Sequence, residues 1–285
     1  MVVKKVLVTG AGGQLGQSLD LQNVTTIRTS RSKSDSIDVI LDVTDNQNVE
    51  SLINEHDPDI ILHLAAMTNV DGCELNPDKA HEINVKGTAN LLKLFDGKFI
   101  FLSTDYVFNG EDGPYSENDE VDPINVYGRS KLDAENIVKE ISNDWVILRT
   151  NVVWNIGGSY HASFADWLVN ELTNERTVKI VTDQWNNPTH TDDLGRVIDQ
   201  IIEKDAQGLF HYGSSDVLNR YDFAKLIANV YELDESLITP IRTESLNQSA
   251  KRPLKSGLKT DKIEQELEIM PSDLWEDIER TLNQK

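Results

Sequence analysis

The stretch KVLVTGAGGQLGQS, residues 5–18, joins an apolar run to a glycine-rich loop and a short helical segment. Three glycines stand three residues apart directly after the apolar run: Gly10, Gly13 and Gly16. In this order of elements the first glycine permits a tight turn, the second lets the backbone approach a pyrophosphate, and the third lets the helix pack closely. The loop, with Gln14 and Leu15 beginning the helix, therefore predicts a dinucleotide site, although a glycine turn without a ligand has the same sequence.

The segments that follow repeat this alternation of strand and helix. Besides the first strand, five short runs rich in β-branched and apolar residues read as buried strands: 24–29, 39–43, 59–64, 98–103 and 145–149. Apolar residues at helical spacing lie between most of them, and the first helix has room for little more than two turns. Such alternation predicts an α/β fold, a Rossmann-type doubly wound parallel sheet with right-handed crossovers.

The regular alternation ends near residue 150. A helix around 160–173 and further strands and helices follow with longer loops, which predicts a smaller α/β lobe. We expect residues 1–152 to form the dinucleotide-binding domain, with a helix over 190–204 returning to it. Residues 153–285 would then form mainly the substrate-binding lobe.

Composition excludes several classes of partner. The 27 Lys and Arg against 48 Asp and Glu give a net charge of −21, which repels nucleic acid and anionic membrane surfaces. No apolar run approaches the roughly 20 residues that span a bilayer. The single cysteine, Cys73, cannot form an internal disulfide, and no signal peptide opens the chain, so a cytoplasmic setting is predicted. The sequence leaves a homodimer open.

The end of the second strand bears on the choice of cofactor. NAD enzymes commonly have a carboxylate there for the ribose hydroxyls, whereas this chain has Ser30, Arg31, Ser32 and Lys33. Two cations and two hydroxyls suit a 2′-phosphate, which favours NADP(H) and leaves NAD(H) possible. The remaining predicted cofactor contacts follow the third and fourth strands: Asp42, Val43, Ala65 and Ala66. Asp42 could equally cap the next helix.

A tyrosine and a lysine stand four residues apart at Tyr127 and Lys131. On a helix they share one face, so the ammonium is expected to stabilise a phenolate and lower the tyrosine pKa. The pair Tyr221 and Lys225 has the same spacing. Only the first pair follows the strand that ends at Thr104, within the parallel-sheet half, and its position favours it as the catalytic pair.

Together these features resemble the extended short-chain dehydrogenase/reductase family. Within it, four segments resemble the dTDP-4-dehydrorhamnose reductases: STDYVF (103–108), NVYGRSK (125–131), DQWNNPT (183–189) and KRP (251–253). The resemblance runs from the glycine loop to near residue 265 and implies reduction of a 4-keto group on a nucleotide-activated deoxysugar by NAD(P)H.

The resemblance also implies roles for individual residues. Tyr127 would protonate the new hydroxyl, Lys131 would hold the nicotinamide ribose, and Thr104 would bind the same carbonyl. Asp105 would support the substrate or the threonine. The implied substrate contacts are Thr104, Asp105, Tyr106, Gln184 and Arg252, where a guanidinium suits a diphosphate. No metal is predicted, because Gly16-Gln17-Ser18 lacks the acidic residue that binds magnesium in some reductases.

Alternatives within the superfamily remain open. Dehydratases have Thr-Asp-Glu where this chain has Tyr106 after Asp105, which favours reduction over water loss, and Asp105 also argues against an epimerase. A non-catalytic subunit similar to the methionine adenosyltransferase accessory protein would keep the cofactor fold. One departure concerns the substrate pocket, since related reductases have tryptophan near the position of Val152, and here Trp154 follows two residues later.

Overall fold

The computed structural model describes residues 3–157 and 163–283, and its central element is a seven-stranded parallel sheet. The strands, numbered along the chain, are β1 (Lys4–Thr9), β2 (Val24–Ser30), β3 (Val39–Ile40), β4 (Ile60–His63), β5 (Lys98–Thr104), β6 (Trp145–Thr150), β7 (Val153–Trp154), β8 (Val178–Val181), β9 (Trp185–Asn186), β10 (Thr189–His190), β11 (Gly208–His211), β12 (Leu218–Asn219) and β13 (Ile238–Ile241). The six strands predicted from the sequence are all present in the sheet, and β11 is its seventh.

Eleven α-helices connect and cover these strands within the described residues. They are α1 (Gln14–Ser18), α2 (Asn46–His56), α3 (Val70–Leu75), α4 (Pro77–His81), α5 (Gly87–Leu94), α6 (Val126–Ile141), α7 (Phe164–Thr173), α8 (Thr191–Glu203), α9 (Arg220–Val230), α10 (Asp261–Leu267) and α11 (Leu274–Asn283). The short first helix agrees with the prediction. The helix predicted around 160–173 begins at Phe164, and its expected first residues, 160–162, lie outside the described residues.

The strand order of the sheet is β11-β6-β5-β4-β1-β2-β3. The chain progresses from β1 through β2 to β3 in one direction and from β4 onward in the other, so the order reverses between β1 and β4. Ligands of open parallel sheets bind outside the carboxyl ends of the strands at such a switch point. The glycine loop leaves β1 at this place.

Two apolar layers sandwich the sheet because successive side chains of a strand point to opposite faces. On β1, Val6 and Val8 join the core formed with α1, α8 and α10, whereas Leu7 joins the core formed with α2, α5 and α6. All three side chains are fully buried. Helices on both faces confirm the predicted doubly wound α/β fold.

A second core lies outside the sheet. It joins α7, α9 and α11 to β8 and β13, with the fully buried Trp154, Leu168 and Phe223 at its centre. The helix over 191–203 and strand β11, although late in the sequence, pack in the first core and in the sheet. None of the helices in the described part of the chain is long and apolar enough to cross a bilayer.

Candidate active site

A cavity of about 760 Å³ runs along the carboxyl ends of the strands, from the glycine loop to the first turn of α9. It contacts the ends of β1, β2, β4, β5 and β6, and α6 and α9 also border it. The five glycine-loop residues predicted to bind cofactor all line it: Gly10, Gly13, Gln14, Leu15 and Gly16. The sheet therefore gathers residues from distant parts of the sequence around one groove.

Two of these glycines are required by close approaches of the backbone. Gly10 has φ +70°, and a β-carbon there would lie 2.6 Å from the backbone nitrogen of Ala65. A β-carbon at Gly16 would lie 2.5 Å from the α-carbon of Ala11, so the helix packs against the loop only with glycine. Gln14 Nε2 is buried without a hydrogen-bond partner in the described structure. The loop therefore has the shape and an unused donor suited to a dinucleotide.

The far end of the cavity is built by the ends of β2 and β3. Ser30, Arg31, Asp42 and Val43 line it, and Arg31 is exposed. Hydrogen bonds from Thr44 to Asp42, 3.0 Å from the amide and 2.7 Å from the hydroxyl, lower the pKa of this carboxyl, and the charge of Arg31 adds to the effect. The alternative that Asp42 caps the next helix is wrong.

The cap of α2 is instead Asp45, which accepts from the amides of Gln47 and Asn48. Ala65 and Ala66 line the cavity beside β4, as predicted. His63 is buried behind them, with Nδ1 2.6 Å from the Thr9 hydroxyl and Nε2 3.0 Å from the Thr88 hydroxyl. Burial lowers the pKa of His63 to about 3, so the imidazole is a neutral hydrogen-bonding group of the sheet.

The predicted catalytic residues meet where β5 ends against α6. Asn125 caps α6 by accepting from the Gly128 amide at 2.8 Å, which fixes the start of the helix carrying Tyr127 and Lys131. The Thr104 side chain lies close enough to the Tyr127 hydroxyl to influence its pKa, and both residues line the cavity. The rings of Tyr106 and Tyr127 pack edge to face with centroids 5.8 Å apart.

The expected lowering of the Tyr127 pKa is wrong, because the pKa is raised and Lys131 is not among the groups that shift it. Loss of water around the hydroxyl raises the pKa of Tyr127 and outweighs the lowering influence of the nearby Thr104 side chain. Lys131 Nζ donates to the Leu102 carbonyl at 2.8 Å and lies 3.8 Å from the centre of the Phe101 ring. Burial lowers the lysine pKa to about 7, which weakens it as a cation. Tyr127 is consequently protonated at neutral pH, the state that a proton donor requires.

Asp105 is buried behind Thr104 and bonded on both oxygens. Thr104 Oγ1 donates to Oδ1 at 3.0 Å, and Ser256 Oγ donates to Oδ2 at 2.5 Å. Burial nevertheless raises the pKa of Asp105 to about 7. Nothing in the sequence points to Ser256, because it lies on a loop more than a hundred residues away.

The predicted substrate contacts divide into two groups. Tyr106 lines the cavity with Thr104 and Asp105, whereas Gln184 and Arg252 are not among its lining residues. Gln184 Nε2 donates to the Thr243 hydroxyl at 3.0 Å. Arg252 makes a bidentate contact with Asp71, at 2.8 and 3.3 Å, and also donates to a backbone carbonyl.

Several lining residues were not predicted from the sequence. The cavity also contacts Met67, Thr68, Lys79, Thr150, Asn151 and Arg220. Val152 lines it with φ +40°, whereas Trp154 packs in the second core, 5.5 Å from the Phe223 ring. Tyr221 and Lys225, the second tyrosine–lysine pair, lie outside the lining, and Lys225 pairs with Glu235 at 3.2 Å. The residues that the structure describes contain no cluster of three or more His, Cys, Asp or Glu side chains suited to a metal ion.

Comparison with known proteins adds an independent observation. Residues 4–285 match the family model described as RmlD substrate binding domain. The chain is 34% identical to the dTDP-4-dehydrorhamnose reductase of Aggregatibacter actinomycetemcomitans, covering 95% of this chain and 96% of that protein. It is also 34% identical to a probable low-salt glycan biosynthesis reductase, Agl14, of Haloferax volcanii, covering 95% of each.

A solved structure and a further relative bear on the cofactor and on the non-catalytic alternative. The dTDP-4-dehydrorhamnose reductase of Bacillus anthracis, in complex with NADP, matches with a TM-score of 0.87 and 30% identity over 99% of both chains. Methionine adenosyltransferase 2 subunit beta of Mus musculus is 31% identical, covering 92% of this chain and 82% of that protein.

Proposed function

This chain belongs to the RmlD substrate binding domain family, and from that premise we propose that it is an NADP(H)-dependent oxidoreductase acting on a sugar nucleotide. It reduces the 4-keto group of dTDP-4-dehydrorhamnose to give dTDP-rhamnose. The observation that carries this function is the placement of the Thr104 and Tyr127 hydroxyls close together in the cavity beside the glycine loop. Full-length identity of 34% to a dTDP-4-dehydrorhamnose reductase supports the choice of sugar.

The residues along the cavity fit a dinucleotide. Gly10, Gly13, Gln14, Leu15 and Gly16 would hold the pyrophosphate, Asp42 and Val43 the adenosine, and Ala65, Ala66 and Lys131 the nicotinamide half. Arg31 at the end of β2 is exposed to the cavity and would pair with a 2′-phosphate, which favours NADP(H) over NAD(H). When bound, NADPH supplies the hydride that reduces carbon 4 of the sugar.

The two hydroxyls complete the reduction. As negative charge develops on the ketone oxygen, Tyr127 transfers its hydroxyl proton to that oxygen and is left as a phenolate. Thr104 donates a hydrogen bond to the same oxygen. Both contacts strengthen as the charge grows, so they stabilise the transition state more than the substrate. The raised pKa of Tyr127 keeps the proton in place until this step.

Asp105 governs the hydrogen bond that Thr104 has available. With a pKa near 7, the carboxyl is protonated in a large share of molecules at neutral pH. A protonated Asp105 can donate to the Thr104 oxygen, which frees the threonine proton for the substrate. Ser256 holds the other carboxyl oxygen at 2.5 Å and fixes its orientation. We therefore assign Asp105 a positioning role as well as contact with the substrate.

The alternatives are disfavoured by the same residues. Tyr106 occupies the position where a dehydratase needs a second carboxylate. The methionine adenosyltransferase subunit beta matches over less of its own length than the reductase does, 82% against 96%. Thr104, Tyr127 and Lys131 are all present around one cavity here, which supports an active enzyme.

We also propose that the two parts of the chain bind different ligands. Residues 1–152 with the helix over 190–204 would hold the cofactor, and residues 153–285 would supply mainly substrate contacts. Arg220 in the cavity and Ser256 behind Asp105 support the second assignment. We place the enzyme in the cytoplasm, where Cys73 stays a free thiol, and a homodimer remains compatible with the proposal.

Transfer of an isotopically labelled hydride from NADPH to the sugar tests the function. NADPH deuterated at the transferable position of carbon 4 is incubated with dTDP-4-dehydrorhamnose, and the product is examined by NMR. We expect one deuterium at carbon 4 of dTDP-rhamnose for each NADPH consumed. A product formed without net NADPH consumption would indicate epimerisation or dehydration. Binding of NADPH with no product from any 4-keto sugar nucleotide would favour the non-catalytic subunit.

A further inference from the structure

Arg220 is a cation of the cavity that forms no ion pair with a carboxylate among the described residues. It is the first residue of α9, lines the groove, and has its guanidinium carbon 4.8 Å from the centre of the Phe164 ring. Its Nη1 is buried and makes no hydrogen bond within the described structure. The charge is therefore held by an aromatic face and by more distant carboxyl and phenol groups.

Three other buried or half-buried arginines of the described chain each have a carboxylate partner, whereas the half-buried Arg28 donates to backbone carbonyls. Arg149 contacts Glu135 at 2.7 Å, Arg252 contacts Asp71 at 2.8 Å, and Arg280 contacts Asp193 at 2.6 Å. For Arg220, burial lowers the pKa, and only smaller opposing influences come from Tyr106 and Asp105. A desolvated cation without a partner is unfavourable in the folded protein.

The position of Arg220 at the start of α9 makes its unpaired charge still less favourable. The first turn of a helix presents unpaired amide hydrogens and the positive end of the helix dipole, so cations are disfavoured there. Asn219 and Asp222 satisfy part of that turn, with the Asn219 side chain accepting from the Asp222 amide at 2.9 Å. Positions where a sequence departs from such local rules are commonly functional.

We propose that Arg220 is the residue that binds the diphosphate of the sugar nucleotide, with Nη1 donating to a phosphate oxygen; this inference rests on the proposed function. Arg220 borders the groove together with Asp105 and Tyr106, next to the hydroxyls that take the sugar ketone. Arg31 lies at the end of β2, on the cofactor side. A diphosphate linked to the sugar would reach the guanidinium beyond the catalytic hydroxyls.

The chemistry of the groove selects this ligand. A planar guanidinium with free donors matches phosphate oxygens. A protein of net charge −21 needs a local cation to hold an anionic substrate. Arg252, the residue predicted from the sequence for this role, already has both terminal nitrogens bonded to Asp71. The diphosphate would therefore supply the hydrogen-bond partner that Arg220 lacks. At Arg252 it would have to displace the Asp71 carboxylate.

Calorimetric titration of the NADP⁺-saturated protein with dTDP tests the proposal. We expect Arg220→Gln to weaken dTDP binding at least about tenfold, because a charge-assisted hydrogen bond is lost. The affinity for thymidine, which lacks phosphates, should stay unchanged. Lys225→Gln is the matched control, since it removes the same charge from the same helix at a residue paired with Glu235 outside the cavity. Thermal melting of each variant shows that it is folded.

Several results would overturn the proposal. They are dTDP affinity of Arg220→Gln within twofold of wild type, an equal loss in Lys225→Gln, or failure of the wild type to bind dTDP, UDP and GDP alike. A larger loss in Arg252→Gln than in Arg220→Gln would assign the diphosphate to Arg252 instead. Because the titration needs no turnover, wild-type protein that binds dTDP without oxidising NADPH would remove the reductase function and leave this inference standing.

Discussion

Ser256 and Asp105, 151 positions apart in the sequence, are joined by a hydrogen bond of 2.5 Å from the serine hydroxyl to the carboxyl Oδ2. Thr104 donates to the other carboxyl oxygen, and the Tyr127 hydroxyl lies close to Thr104. A loop of the second half of the chain thus reaches the residues whose hydroxyls line the cavity. The reactivity of this site depends on a carboxyl group that the protein keeps out of water.

Asp105 makes stability depend on pH. Its pKa is raised from 3.8 to about 7 in the folded protein, so between these values the folded state holds a proton that the unfolded state has lost. The stabilisation is complete below about pH 4 and is lost as the pH rises to 7. Relative to Asp105→Asn, wild type should lose up to about 1.4 kcal/mol per pH unit in this window. Denaturant unfolding of both proteins at pH 5 and pH 8 measures it, and parallel pH profiles would contradict the raised pKa.

Arg31 should decide the choice of cofactor. Arg31→Asp removes the cation beside Asp42 and adds repulsion against a 2′-phosphate, so kcat/KM for NADPH should fall at least about tenfold and that for NADH should change little. Steady-state rates with each cofactor give both values. Lys33→Asp, an exposed change of the same charge on a residue outside the cavity lining, is the control. An unchanged preference in Arg31→Asp would show that the 2′-phosphate lies elsewhere.

The buried pair of Glu135 and Arg149 should dominate local stability. Arg149 donates to both carboxylate oxygens, at 2.8 and 2.7 Å, and Ser103 donates to one of them at 2.6 Å. Glu135→Leu leaves a buried guanidinium unpaired, so unfolding free energy should fall by about 3–5 kcal/mol.

Two further variants identify the origin of that loss. Denaturant unfolding measures the unfolding free energy of all of them. The double variant Glu135→Leu/Arg149→Met should recover part of the stability, because no charge is left unpaired. Glu235→Gln, which breaks the partly exposed pair with Lys225, should leave the unfolding free energy nearly unchanged. A double variant less stable than Glu135→Leu would contradict the assignment.

The sheet and the cofactor loop could be predicted because their signals are local. Apolar runs mark the strands, and the spacing of Gly10, Gly13 and Gly16 reflects contacts that the loop makes with its own neighbours and with Ala65. Of the residues named from the sequence for the cofactor, Ser32 and Lys33 lie outside the cavity lining, and the others line it. The position of the Thr104 and Tyr127 hydroxyls at the cavity was also foreseen, since Thr104 ends a strand and Tyr127 lies in the first turn of the following helix.

What could not be predicted depends on contacts across long stretches of chain. Arg220 lines the cavity and Ser256 lies behind it against Asp105, and their local sequence carries no sign of either position. The spacing of Tyr127 and Lys131 predicted a lowered tyrosine pKa, but burial, which spacing does not reveal, reverses the direction. The Arg252 guanidinium could bind a diphosphate, but it already forms an ion pair with Asp71.

The initial rate of NADPH oxidation with dTDP-4-dehydrorhamnose, compared between wild type and Tyr127→Phe, tests the central claim most directly. The phenylalanine keeps the ring and its packing against Tyr106 but has no proton to transfer. We predict a wild-type rate that depends on the sugar nucleotide and falls at least about a hundredfold in the variant, the usual contribution of a positioned proton donor. A wild-type rate no greater than that of Tyr127→Phe would contradict the assignment of this protein as a 4-ketoreductase.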